Sequence, residues 1–430
     1  MPNLSSILGG SAVPIGGNIT VLDGPINPTY SGSEYLRSGT LKAYDSSYAA
    51  AVAAAPQLKA YGTLANSYGD LSVSATPVRV FYVGTNYVRL DTSTQAYYGS
   101  TLALCSAGGS VVSVPTNVIA SGPNSTQKSG FGNGYLVLTG GANTAPIASS
   151  NGSSFAAVGG TFATFPNPTV IAYLGAFGWL SLSALAGSAG SRGYIANTNP
   201  TGTWTVDTGT NLSMTTAYSA ATNGSVIVVT GNSASATAGK IATSTTLAGA
   251  YTDRTATCGI TFAASDTITN CVYSGSKFVA VYNANKIITS TDGLTWSIVA
   301  TPVDASTLFI NGATAPTMTI NCLTTDGAGK VVGALAQSTG TLARALILVS
   351  ADHGVTWDVV QCARANGHGF SSGAIATVSY ANSKFLMNYS GNGTAWTTNM
   401  NIIDVGSLAT TPDYIGQQLS YAQGNYVRIK

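Results

Sequence analysis

Short apolar runs, separated by turns of Gly, Asn or Ser, recur from Val78 to the end of this chain. Cys271-Val272-Tyr273-Ser274-Gly275-Ser276-Lys277-Phe278-Val279-Ala280-Val281 is one such unit, and Ala376 to Leu386 and Leu419 to Val427 repeat it. β-Branched and aromatic runs about a tight turn predict antiparallel hairpins. A third run follows each hairpin: Ile147-Ala148-Ser149-Ser150-Asn151, Ile195 to Asn199, Ile241 to Thr245, Ile287 to Thr291 and Ile347 to Ala351, with weaker copies starting at Tyr97 and Ala395. A turn and a fourth run come next, entered through Phe155, Trp204, Tyr251, Trp296 or Trp357.

The third runs start 50, 48, 46, 46, 60 and 48 residues apart. That period, with four short strands in each, belongs to propeller blades. A single blade cannot bury both of its faces, so blades must stack around an axis. The expectation is an all-β propeller over residues 71–430 of about seven four-stranded blades, preceded by a small segment, residues 1–70. Eight blades is the alternative, because hairpins outnumber the third runs: one spans Val78 to Leu90 and another, Gln417 to Ile429, ends the chain. That last hairpin is expected to close the ring; in the eight-blade alternative, residues near Leu71 to Ala75 supply a missing outer strand.

The third turn carries the sharpest motif. Ser350-Ala351-Asp352-His353-Gly354-Val355-Thr356-Trp357 has the form Ser-x-Asp-x-Gly-x-Thr-Trp, and Ser290-Thr291-Asp292-Gly293-Leu294-Thr295-Trp296 is one residue shorter. Here Asp can accept from turn amides, Gly can take a positive φ, and Trp can cover the turn. The phrase resembles the Asp-box repeat of bacterial sialidases, which implies a folding device between the outer strands of a blade. Residues 151–155 and 201–204 keep the Gly and the aromatic without the Asp. Sialidase chemistry would further imply an arginine triad and a Tyr nucleophile served by a Glu, yet the one glutamate, Glu34, lies outside the repeats. No catalytic residue is assigned. An Asp-based glycosidase would have to draw on Asp207, Asp253, Asp266, Asp304, Asp326 or Asp413, which nothing in the sequence pairs.

Composition narrows the partners. Only 7% of residues are charged and the formal net charge is +2, which argues against the dense basic face that nucleic acid requires. The Ala49 to Ala55 stretch is too short to span a bilayer. Cys105, Cys258, Cys271, Cys322 and Cys362 lack metal-ligand spacing and read as small buried side chains, so neither a metal nor a cofactor is expected. His353, at the variable position of its turn, is expected to face solvent. Trp179, apart from the other tryptophans, is expected to pack between blades. The start of the chain shows no secretory signal, which predicts synthesis in a host cytoplasm. Low charge also leaves self-association open.

Ahead of the repeats, Ser33-Glu34-Tyr35-Leu36-Arg37-Ser38-Gly39-Thr40-Leu41 precedes Tyr48 and Pro56-Gln57-Leu58. This resembles an element found before the distal domains of tailed-phage tail proteins, although here the alanine run separates the Tyr from the Pro. The resemblance implies a virion anchor at Tyr35, Leu36, Arg37 and Gly39, with residues 1–70 held by other tail proteins. Together with the propeller it implies a tail fibre or tip accessory that binds a host-surface receptor, either a glycan or a protein. A glycan-cleaving enzyme and a purely structural virion spacer are the alternatives. Loops that lengthen the repeat are the expected binding elements: Phe309 and Asn311 in the long interval, and Arg364, Asn366, His368 and Phe370 in the next connection.

Overall fold

In this computed structural model the described residues are 18–21, 39–42, 57–60, 67–71, 77–91, 95–106, 110–114, 129–139, 143–163, 165, 168–183, 190–210, 212, 214–233, 238–299, 318–337, 346–361, 373–391, 400–404, 413–421 and 424–428. Six sheets are each made of four consecutive antiparallel strands: blade A over 77–113, B over 129–157, C over 170–210, D over 216–253, E over 268–298 and F over 318–361. The chain is an all-β propeller. Among the described residues its helical content is a short helix at Leu102–Ser106 and one 3-10 turn at Gly175–Phe177, and none of its helices is long and apolar enough to cross a membrane.

Among the described residues the number of uninterrupted blades is therefore six, where the repeat count predicts seven or eight. A further four-stranded sheet is a composite of Gly373–Ala381, Lys384–Gly391, Met400–Asp404 and, from the other end of the chain, Ser67–Leu71. Its fourth strand is not encoded after its third, which is why a linear repeat count miscounts it. Ser67–Leu71 does supply an outer strand from upstream, but to this sheet and not to the terminal hairpin. The hairpin Asp413–Tyr421 and Gly424–Arg428 instead joins Gln57–Ala60 in a three-stranded sheet. Asn18–Val21 and Gly39–Lys42 form a separate two-stranded ladder.

The first strand of each sheet lies innermost, touching the first strand of the next: Ser129–Gly132 with Val170–Tyr173, then Thr216–Thr222, Ile268–Tyr273, Met318–Thr325 and Gly373–Ala381, which returns to Pro77–Val83. Core clusters fill the spaces between blades. Ile227 and Val229 pack with Leu180 and Leu182 of blade C, while Val228 between them packs with Phe278 and Ile288 of blade E. Val279 and Val281 likewise face Ile320 and Leu348 of blade F, and Phe278 and Ala280 face blade D. Side chains alternate across a strand, so a blade with neighbours on both faces needs apolar residues at successive positions. That need explains the unbroken apolar second strands, Ile227 to Val229 and Phe278 to Tyr282. Trp179 lies fully buried between blades B and C, its indole donating to the Thr198 carbonyl at 2.9 Å.

Candidate functional site

Antiparallel strand order gives the ring two unlike ends. The connections from first to second strand and from third to fourth emerge at one end; those from second to third and from one blade to the next emerge at the other.

At the first end the described turns of blades B, E and F are closed on themselves. Between the third and fourth strands of blade E, Ser290 Oγ accepts the Gly293 amide at 2.8 Å and donates to Asp292 at 2.9 Å. The Asp292 carboxylate also accepts the amides of Leu294 and Thr295 at 2.8 and 2.9 Å. Trp296 closes the turn through its indole, which donates to the Gly293 carbonyl at 3.1 Å. Blade F repeats the arrangement: the Gly354 amide donates to Ser350 Oγ at 2.9 Å, the Thr356 amide to Asp352 at 2.8 Å and the Trp357 indole to Gly354 at 2.9 Å. In blade B an amide takes the place of the carboxylate, Asn151 Oδ1 accepting from the Ser153 and Ser154 amides at 2.9 and 3.1 Å. Burial pushes the Asp292 and Asp352 carboxyls up, but these amide and hydroxyl donors outweigh it and hold both below the usual range. A carboxylate so surrounded serves the turn.

His353 does not stand free in solvent as its position predicts. It is half-buried, its Nδ1 lying 3.1 Å from both the hydroxyl and the carbonyl oxygen of Ser274 in the first turn of blade E. The His353 amide donates to the Gly329 carbonyl at 2.8 Å, and its positive φ of 62° allows both contacts. This residue joins blade F to blade E, a contact that no single-turn motif announces.

Other polar groups also hold the ring. Arg192 of blade C pairs with Asp207 at 2.9 Å and donates to the Gly249 and Ala248 carbonyls of blade D. Lys240 pairs with Asp253 at 2.6 Å. Asp266 accepts from the Tyr282 hydroxyl, the Asn283 amide group and the Ala263 backbone. Burial raises its carboxyl and those donors more than offset that, holding it below the ordinary range. Cys105, Cys258, Cys271 and Cys322 are buried and, among the described residues, form no disulfide. Among the described residues no cluster of three or more His, Cys, Asp or Glu side chains could hold a metal ion.

At the second end stand the strand termini that bound the sequence intervals 300–317, 338–345 and 362–372. Phe309, Asn311, Arg364, Asn366, His368 and Phe370 fall within them and lie outside the described residues, as do Asp304, Cys362, Tyr35, Leu36 and Arg37; Gly39 begins the strand Gly39–Lys42. At this same end Tyr218, Thr269 and Asn270 stand half-buried near the starts of the inner strands, and Asn232 donates to the Tyr218 hydroxyl at 2.9 Å. Arg79 belongs to this group. It is a lone cation inside the apolar run Pro77–Val83.

No protein-family model matches the chain. No curated protein matches it either. Among solved structures it is similar to YCF48 bound to a D1 peptide, at 13% identity over 82% of this chain and 97% of that one with a TM-score of 0.47. YCF48 from Cyanidioschyzon merolae gives 10%, 79%, 98% and 0.45 for the same quantities. A catalytically inactive virginiamycin B lyase from Staphylococcus aureus with quinupristin gives 11%, 79%, 98% and 0.48. At that level of likeness neither activity nor ligand carries over, and what the chain's own sheets establish is an all-β propeller.

Proposed function

We propose that this chain is a tail protein of a phage virion, a fibre or tip accessory, whose propeller binds a glycan on the host surface. The observation that carries the binding part is the inequality of the two ends. One carries turns whose polar groups satisfy each other, and the other carries the half-buried polar groups Tyr218, Thr269 and Asn270 and the strand termini that bound the longest intervals of the sequence. Rigid strands that present variable connections at one end are a common way of building a recognition surface. The virion part rests on the tail-like phrase Ser33 to Leu41, with residues 1–70 meeting other tail proteins. A surface with few charges suits neutral polar recognition, in which amides, hydroxyls and aromatic faces engage sugar hydroxyls.

The test is saturable binding of the labelled full chain to bacterial envelopes, before and after periodate oxidation of their glycans. The expected result is binding that periodate abolishes and that replacement of residues 364–372 weakens. Failure to bind any envelope, or binding untouched by both treatments, would overturn the reading.

A further inference from the structure

Asn-Gly pairs stand at residues 133–134, 151–152, 223–224, 311–312, 366–367 and 392–393. The first three fall within the described residues, each in a turn at the first end of the ring. An asparagine before glycine is open to attack on its side chain by the next backbone nitrogen, because glycine has no Cβ to shield that nitrogen. What each turn already holds decides which pair can react.

In blade B the Asn151 Oδ1 accepts from the Ser153 and Ser154 amides at 2.9 and 3.1 Å, and the buried Gly152 amide donates to Ser149 Oγ at 2.8 Å. Asn223 of blade D is held in the same way. Its Oδ1 accepts the Ser225 and Val226 amides, both at 2.9 Å, and the Gly224 amide donates to Thr222 Oγ1 at 3.0 Å. In both turns the side chain and the attacking nitrogen are engaged.

Asn133 and Gly134 differ. They are the two central residues of the turn between Ser129–Gly132 and Tyr135–Leu138, closed by the pair Gly132 and Tyr135. Their φ values, 47° and 77°, are both positive, as a type I′ turn demands, and this is why Asn-Gly suits the place. Both residues are exposed, and a Cβ placed on Gly134 would meet nothing within 4 Å. Among the described residues the Gly134 amide donates to no acceptor and Asn133 Oδ1 accepts from no donor. The one hydrogen bond of the side chain runs from Nδ2 to the Thr198 carbonyl of blade C and is long, at 3.4 Å. That carbonyl already takes the Trp179 indole at 2.9 Å.

We infer that Asn133 is a self-modification site, at which the side-chain amide becomes a carboxylate and blade B is loosened from blade C. The Gly134 nitrogen gives its proton to hydroxide and bonds to Asn133 Cγ; the Cγ–Nδ2 bond breaks and ammonia leaves. Water then opens the cyclic imide at either carbonyl, giving the aspartyl or the isoaspartyl form. One water is consumed, one ammonia is released and nothing is oxidised or reduced. Either product sets a negatively charged acceptor where a donor faced the Thr198 carbonyl. The isoaspartyl form also adds a methylene to the backbone of a two-residue turn, a length that the Gly132 and Tyr135 pairing does not accommodate.

The experiment incubates the full chain at mildly alkaline pH, folded and in denaturant, and follows each Asn-Gly peptide by mass, with isoaspartyl methyltransferase labelling of the products. In the folded chain Asn133 should convert roughly ten-fold faster than Asn151 and Asn223, whose turn hydrogen bonds must break first. In denaturant the three rates should converge. The aged chain should melt lower than the fresh one, and Asn133→Gly, which a type I′ turn accepts, should show a smaller fall on ageing. Folded-chain conversion at Asn133 no faster than at Asn151 or Asn223 overturns the inference, as does a lead that survives unchanged in denaturant. An equal fall on ageing in wild type and Asn133→Gly overturns the loosening of blade B from blade C.

Discussion

Gly354 of blade F lies against Val279 of blade E so closely that a Cβ on the glycine would stand 2.8 Å from the valine Cγ2. The same meeting recurs around the ring: Gly293 approaches Val228 of blade D and Gly152 approaches Val88 of blade A, with ideal Cβ distances of 2.6 and 2.4 Å. Each glycine also has a positive φ, between 75° and 82°. The turn motif is thus an interblade joint as well as a local fold, because the turn of one blade docks on the second strand of the blade before it.

Gly354→Ala should therefore destabilise the chain by about 2–4 kcal/mol, combining left-handed strain with overpacking. Denaturant melts measure this. The second change Val279→Ala should return part of the loss, since it removes the clash but not the strain; strict additivity of the two would refute the joint.

Asp352→Ala removes the acceptor of the Thr356 amide and hydroxyl and should cost about 1–2 kcal/mol. Asp352→Asn should cost less, because Asn151 already serves the equivalent turn of blade B through its amide oxygen. Equal losses in thermal melts would count against the turn geometry.

The Asp292 and Asp352 carboxyls sit below their ordinary range in the folded chain. A depressed folded value gives stability that is fully present above the unfolded carboxyl range, near 3.9, and is lost as pH falls through the folded value. The melting midpoint should hold from neutral pH to about pH 5 and fall below that. The double variant Asp292→Asn with Asp352→Asn should flatten the fall, and an unchanged acid limb would contradict the assignment.

Arg192→Leu leaves Asp207 without its ion pair and two blade D carbonyls without a donor, and should cost about 2–4 kcal/mol. A double-mutant cycle with Asp207→Asn should show coupling between the two sites. No coupling would mean that the carbonyl contacts to blade D carry the whole effect.

Cys105, Cys258, Cys271 and Cys322 are buried, and burial pushes the Cys271 and Cys322 thiols up. Since the thiolate is the reactive form, these four should resist a thiol reagent in the folded chain and react together on unfolding. Peptide mapping of the labelled cysteines checks this, and rapid native labelling of any of the four would contradict the packing.

Blade architecture was legible in the sequence because each blade repeats one pattern of runs and turns, and the Ser, Asp, Gly and Trp positions of blades E and F are local enough to appear as words. Contacts between blades were not. His353 reads as exposed in its own turn and is half-buried only because Ser274, far earlier in the chain, stands beside it. The composite sheet was only half legible: an upstream outer strand was expected near Leu71 to Ala75, but which sheet Ser67–Leu71 joins is set by pairing across the length of the chain. Register slips are invisible in a string of apolar residues, so those that leave Tyr218 and Thr269 outside the ladder emerged only from strand pairing.

Oxidative footprinting of the full chain on glycan-bearing envelopes tests the account most directly, because it asks which end of the ring is covered. Tyr218 and the connections 300–317 and 362–372 should lose labelling on binding, while Val355 and Leu294 at the turn-bearing end keep theirs. Protection of Val355 and Leu294 with unchanged labelling at Tyr218 would contradict it.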